Sequence, residues 1–213
     1  MRGATGPHEK KGGLRPAESQ RPDVVEARRE FIENQRNLPV EKLVFIDESG
    51  FKTNMTRAYG WAPRGVKPIL IAPKYGTNTT IVGAIALDGV RATHIVEGSF
   101  DGPRFVAYLD EVLGPKLNPG DIVVMDGPRL HRVAGVAEAL AKHGATALYL
   151  PAYSPELNPI EMCWSVMKAW IRHWTPRVKD RLRQAVQRAW GRITAELCAS
   201  WIRHSGYAVA VST

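Results

Sequence analysis

The sequence predicts an α/β fold: a mixed β-sheet with helices on both faces. Three observations predict it. Two apolar runs, in LVFID from Leu43 and in DIVVMD from Asp121, are short enough for buried strands and too short for helices. Between them, TNTTIVGAIALDGVRATHIVEG reads as two strands turning at Asp88-Gly89, a dipeptide suited to a tight hairpin. The later runs alternate with stretches whose apolar residues recur at helical spacing.

Taken in order, residues 1–21 are rich in Gly, Pro, Lys and Arg and read as a flexible tail or linker. Residues 22–37 carry a Pro near the start and Val25, Phe31 and Ile32 among charges, which predicts a short helix. A strand follows from Leu43. In YGWAPRGVKPILIA a turn at Pro63–Gly65 leads into a further apolar run, and the hairpin comes next. DGPRFVAYLDEVLGPKL places Phe105, Tyr108, Leu109 and Val112 on one helical face and stops at Gly114-Pro115. DIVVMD is a strand, residues 131–143 a helix, and ATALYL a strand. From Asn158 the helical period continues to about Trp201, with a break near Pro176. Three antiparallel-type strands, helix, strand, helix, strand, helices is an RNase H-like order. It divides the chain into a tail (1–21), a domain (22–175) and a basic helical extension (176–213).

The net charge of +8 is uneven. Residues 164–213 hold nine Lys or Arg against Asp180 and Glu196, and five of the six tryptophans. A basic, aromatic-rich flank is the electrostatic footprint of a nucleic-acid binder; the plain alternative is a helix with Trp turned inward and Arg in water. Trp164, Trp170 and Trp174, at helical spacing, read as core residues ahead of base-stacking groups. The two cysteines, Cys163 and Cys198, read as buried free thiols of a reducing compartment. The N-terminal residues have no apolar signal region, and the apolar run Ile81 to Leu87 is too short to cross a membrane, so a cytoplasmic location is expected.

Three carboxylates stand out: Asp47, Asp126 and Glu161. Along LVFID, Asp47 shares a side with Leu43 and Phe45, and the strand is apolar on both faces, so it is central. An acidic residue at the end of such a strand sits where open sheets bind ligands. Its plain alternative is a turn opener, with Ser49-Gly50 behind Asp47 and Gly127-Pro128 behind Asp126. Glu161 has a sharper one, a capping box with Asn158 as N-cap and Pro159 at N1. However, Glu161, Ser165, Lys168 and Arg172 form one polar stripe, opposite Ile160, Cys163, Trp164, Met167, Trp170 and Ile171. Three independent caps have no reason to converge, whereas divalent cations call for clustered hard oxygen ligands and relieve the repulsion among them. No phosphate-binding GxxxxGK[ST] loop, GxSxG elbow or Cys pair at zinc spacing competes. A paired-carboxylate glycosidase would place aromatic residues near the carboxylates instead of in a basic flank.

At these residues the chain resembles the catalytic half of bacterial insertion-sequence transposases, in the DDE branch related to mariner elements. The matching segments are FIDESGF, YGWAPRG, VVMDGPRLHR and LPAYSPELNPIEMCWSVMK, within about residues 15–174. Between Asp126 and Glu161 lie 34 residues, the spacing typical of that branch. The resemblance implies that Asp47, Asp126 and Glu161 are the catalytic triad and hold two Mg²⁺ or Mn²⁺ ions, with Asp47 the bridging ligand. His131 matches a histidine usual five residues after the second Asp. Two departures stand out. The family's usual Asn after the second Asp is Gly127 here, and the upstream helix-turn-helix domains have no counterpart in the short tail. The latter suggests the second reading frame of a split gene, or a truncated copy.

The implied reaction cuts a phosphodiester at an element end to expose a 3′-OH, then directs that 3′-OH onto target DNA. Lys168, Arg172, Arg181, Arg188 and Arg192 are candidates for phosphate contacts, or else an ordinary solvated face. The family implies DNA as partner and a homodimer or larger assembly. Two other readings stay open: a nuclease of the same fold that cleaves without joining, and an inactive DNA-binding or dimerising fragment.

Overall fold

The computed structural model describes residues 16–57, 59–96, 100–127 and 133–209. After a 3₁₀ turn at Ala17–Gln20 comes α1 (Pro22–Asn34), and after it the first strand, β1 (Leu43–Lys52). The hairpin forms as β2 (Asn78–Ala86) and β3 (Gly89–Val96). Gly89 supplies the turn with φ +120°, a conformation that costs other residues strain. Helix α2 (Gly102–Ala107) continues as a π-helical stretch, Tyr108–Leu113. Its N-cap is Asp101, which accepts a hydrogen bond from the Arg104 amide. Then come β4 (Ile122–Met125), α3 (Val136–Ala141), β5 (Thr146–Tyr149), α4 (Ile160–Trp174), α5 (Lys179–Trp190) and α6 (Ala195–His204).

The five strands form one sheet in the order β3-β2-β1-β4-β5. Strand β1 pairs antiparallel with β2 and parallel with β4, so the sheet is mixed and β1 is its centre. Residues alternate between two cores. Leu43, Phe45, Ile81, Ile85 and Val124 pack with α4, α5 and α6. Val44, Ile46, Val82, Ala84, Val123 and Met125 pack with the α2 segment and α3. The apolar faces of α5 and α6, from Leu182 to Ile202, thus close the same face of the sheet as α4.

Three local expectations change. Of the expected 131–143 helix, residues 131 and 132 lie outside the described residues; among the rest the helix runs from Val136, behind Gly135 in the left-handed region, to Ala141. The last helical stretch breaks near Pro176 as expected, where Thr175 ends α4 at φ 48°, and breaks once more, since Gly191 to Thr194 separates α5 from α6 and the Thr194 hydroxyl caps the Leu197 amide. The apolar run after the Pro63–Gly65 turn makes no strand, and Ile69 and Ile71 are exposed. The turn itself forms, with the Val66 amide donating to Pro63 O.

The tyrosine Tyr207 anchors the segment that leads into α4. Its hydroxyl donates to the buried Leu157 carbonyl at 2.9 Å, and its ring stands edge-on to Phe45. Replacing it with Phe leaves that carbonyl without its partner. Tyr207→Phe is expected to lower stability by about 1–2 kcal/mol in urea unfolding; an unchanged midpoint would show that water replaces the hydroxyl.

Candidate carboxylate site

The parallel pairing of β1 with β4 ends at Phe45↔Val124, while its antiparallel pairing with β2 runs on to Lys52↔Asn78. The sheet therefore forks within β1. Asp47 does not end its strand, as expected from sequence; it lies mid-strand, opposite Gly83, at the mouth of the fork. Strand β4 does end at Met125, and Asp126 follows it. Continuing the parallel register two residues beyond Phe45↔Val124 brings Asp47 level with Asp126. Phe45 and Val124 face α4, so the two-residue alternation turns both carboxylates toward that helix.

Glu161 occupies the first turn of α4. The capping box does not form: the Asn158 amide N–H donates to Pro155 O at 3.0 Å. The Asn158 side chain instead donates from Nδ2 to the carbonyl of Ile46 at 3.2 Å, while Oδ1 accepts from the Ile160 amide at 3.4 Å. One buried amide thus fastens the start of α4 to the backbone immediately before Asp47. A cleft of about 460 Å³ opens beside Asp126 and Gly127, walled by Pro151, Ala152, Tyr153, Ser154 and Pro155.

At this placement the carboxylates act on one another's charge. The Asp47 carboxyl is pushed up to about 8, first by burial, then by the charges of Glu161, Glu48 and Asp126. Glu161 is exposed by area, yet its carboxyl is raised by partial desolvation and by Asp126, with Lys168 opposing. All three carboxylates feel one another. Among the described residues, however, no group of three His, Cys, Asp or Glu side chains closes around a single point. The donor set, hard oxygens that destabilise each other, suits Mg²⁺ or Mn²⁺ ions shared between carboxylates.

The basic candidates divide. Lys168 and Arg172 share the face of Glu161; Lys168 Nζ lies 5.9 Å from the Phe51 ring centre. Arg188 and Arg192 do not. Arg188 lies over Trp174, and Arg192, just past the end of α5, lies over Trp170 and Trp174. At about 100° per residue, Trp170 stands roughly opposite Glu161 around α4. Arg181 is exposed and lines a cleft with Trp174, Arg177 and Arg188. Trp170 and Trp174, expected in the core, pack half-buried against it and stack on each other, with the guanidinium groups of Arg188 and Arg192 over their rings. His131 lies outside the described residues.

The sequence marks Trp164 as core or base-stacking, not as a partner of a carboxylate. It is buried, but its indole N–H donates to Asp47 Oδ2 at 2.9 Å. The signal was available: three residues past Glu161, Trp164 lies about 60° from it around the helix.

The sheet order and flanking helices are those of an RNase H-like domain. The family model of the DDE superfamily endonucleases matches residues 42–183, two thirds of the sequence, and the chain belongs to that family. Among solved structures, it resembles the Mos1 transposase paired-end complex with left transposon end at a TM-score of 0.80. Identity there is 18%, over 94% of this chain and 64% of that one. The Mos1 transposase catalytic domain solved with raltegravir and Mg gives 0.65, at 15% identity over 87% of this chain and 91% of that one. A catalytic domain of Mos1 mariner transposase gives 0.63, at 16% identity. These likenesses establish the fold. The chain spans under two thirds of the transposase in the paired-end complex. No curated protein matches by sequence.

Proposed function

We propose that this chain is the catalytic domain of a DNA transposase, cutting phosphodiesters at element ends and transferring the 3′-OH to target DNA. The observation that carries the reading is that Asp47, Asp126 and Glu161 lie on neighbouring elements where the sheet forks beneath α4, near enough for their charges to act on one another. The SPELNPIEMCW segment and the 34-residue spacing favour the bacterial insertion-sequence branch. Asp47, Asp126 and Glu161 would hold Mg²⁺ or Mn²⁺, two ions between them. When bound, such ions supply Lewis-acid polarisation of the phosphate and a nucleophile at neutral pH.

The chain's own residues bind and orient. Asn158 keeps Glu161 over the fork. Lys168 and Arg172, on the face of Glu161, meet the phosphate backbone near the reacting bond. Arg181, Arg188 and Arg192, on the other side of α4, meet a more distant stretch of DNA. Joining two ends calls for at least two copies of the chain. Among the described residues no helix is long and apolar enough to cross a membrane, and we place the protein in the cytoplasm with its DNA.

The test is Asp126→Asn on a plasmid carrying the DNA that flanks the gene, with Mn²⁺. Cleavage and joining are expected to fall by roughly a thousandfold, several kcal/mol of transition-state stabilisation, while salt-dependent DNA affinity stays nearly unchanged. Equal cleavage by the variant would sink the reading. Cleavage without joining by the wild type would leave a nuclease.

A further inference from the structure

Trp164 is held more firmly than a space-filling residue requires. Its exposure is 1%. The Trp190 ring stacks on it at 5.4 Å and 24°, and Phe51 meets it edge-on at 6.2 Å. The strand beneath leaves it room. Gly83 is the residue opposite Asp47 on β2, and a Cβ there would stand 2.7 Å from Trp164 and 2.4 Å from Trp190. The register position facing Asp47 is thus empty of side chain, and the indole edge occupies that space.

We infer that Trp164 is a positioning residue for Asp47: its N–H, beside the Glu48 backbone amide, fixes the carboxylate in the orientation that faces the divalent cation. The inference rests on the metal-site reading proposed above. An indole nitrogen is a donor only, so the bond has one polarity and cannot invert as a hydroxyl or a water can. The ring is buried, stacked on Trp190 and met edge-on by Phe51, so the donor does not follow the carboxylate; the carboxylate adopts the donor's orientation. Partners of this kind orient metal ligands from behind, and their loss typically weakens metal binding about 10- to 100-fold.

Trp164→Phe removes the N–H and keeps most of the ring. Mn²⁺ binding is measured by calorimetry for wild type and variant at one pH, beside thermal unfolding of both in EDTA. The expected result is an EDTA midpoint close to wild type and a Mn²⁺ dissociation constant about 10- to 100-fold weaker. A folded variant that binds Mn²⁺ as wild type does overturns the inference and leaves the metal site standing. A wild type that takes up no Mn²⁺ overturns the metal site, and the inference with it. Should Trp164→Phe fail to fold, indole ¹⁵N–¹H spectra of wild type and Asp47→Ala decide. One of the six tryptophan signals must shift with loss of the carboxylate, and must move in wild type on adding Mg²⁺. Six unmoved signals overturn it.

Discussion

Asp47→Asn is expected to stabilise the metal-free protein at pH 8 and to remove most of its stabilisation by Mn²⁺. Burial and the neighbouring charges of Glu161, Glu48 and Asp126 raise the Asp47 carboxyl from 3.8 to about 8 in the folded protein. Below pH 4 both folded and unfolded chains hold the proton. Between pH 4 and 8 the unfolded chain releases it and the folded chain keeps it, so stability falls by up to about 1.4 kcal/mol per pH unit. Above pH 8 both states are ionised and the loss is complete. Asn cannot ionise, keeps the shape, and still offers an acceptor to Trp164. The gain is therefore several kcal/mol at pH 8, about 1–2 kcal/mol at pH 5, and vanishes only below pH 4. Glu161, raised in the same direction, stays in the variant and leaves a smaller residual slope. Mn²⁺ at a hundred times its dissociation constant adds about 2.7 kcal/mol to the wild type. Melting temperatures at pH 5 and pH 8, with EDTA or Mn²⁺, check each part. A variant less stable than wild type at pH 8 without metal would mean that Asp47 is ionised and well paired.

Gly83→Ala is expected to cost about 3 kcal/mol, although alanine ordinarily suits a strand better than glycine. The added carbon would meet the outer edges of both the Trp164 and Trp190 rings at distances no packed carbon tolerates, 2.7 and 2.4 Å. These rings are stacked and enclosed, so neither swings away like the end of a flexible chain. Their displacement pushes α4 and α5 off β2. Urea unfolding measures the loss, and near-ultraviolet circular dichroism should show the stacked pair disturbed. A variant as stable as wild type would mean that the helices shift without penalty.

Much of this arrangement is legible without coordinates. Val44 and Ile46 alternate with Leu43 and Phe45, and that two-residue period alone places β1 at the centre and Asp47 on the side of Phe45. Asp88-Gly89 marks the hairpin because the turn needs a residue tolerant of positive φ. The stripe of Glu161, Lys168 and Arg172 follows from helical period, and all three stay off the buried face of α4. Less was legible where a local rule had two outcomes. Asn158 satisfies a capping pattern, yet its amide reaches across 112 positions to Ile46. The apolar run at Ile69 and Ile71 has strand composition but no strand to pair with.

Sequence by itself determined the five strands of the sheet, the helical stretches in outline, the side of β1 and α4 that carries a carboxylate, and the family of the chain. These depend on residues within one or two turns of each other, where backbone geometry fixes direction. Tertiary structure alone decided that the sheet forks at Asp47, that Trp164 bonds its carboxylate, and that Arg188 and Arg192 fall behind α4. Each depends on where one element ends against another. That is set by packing volume, such as the missing side chain at Gly83, and no local period encodes it.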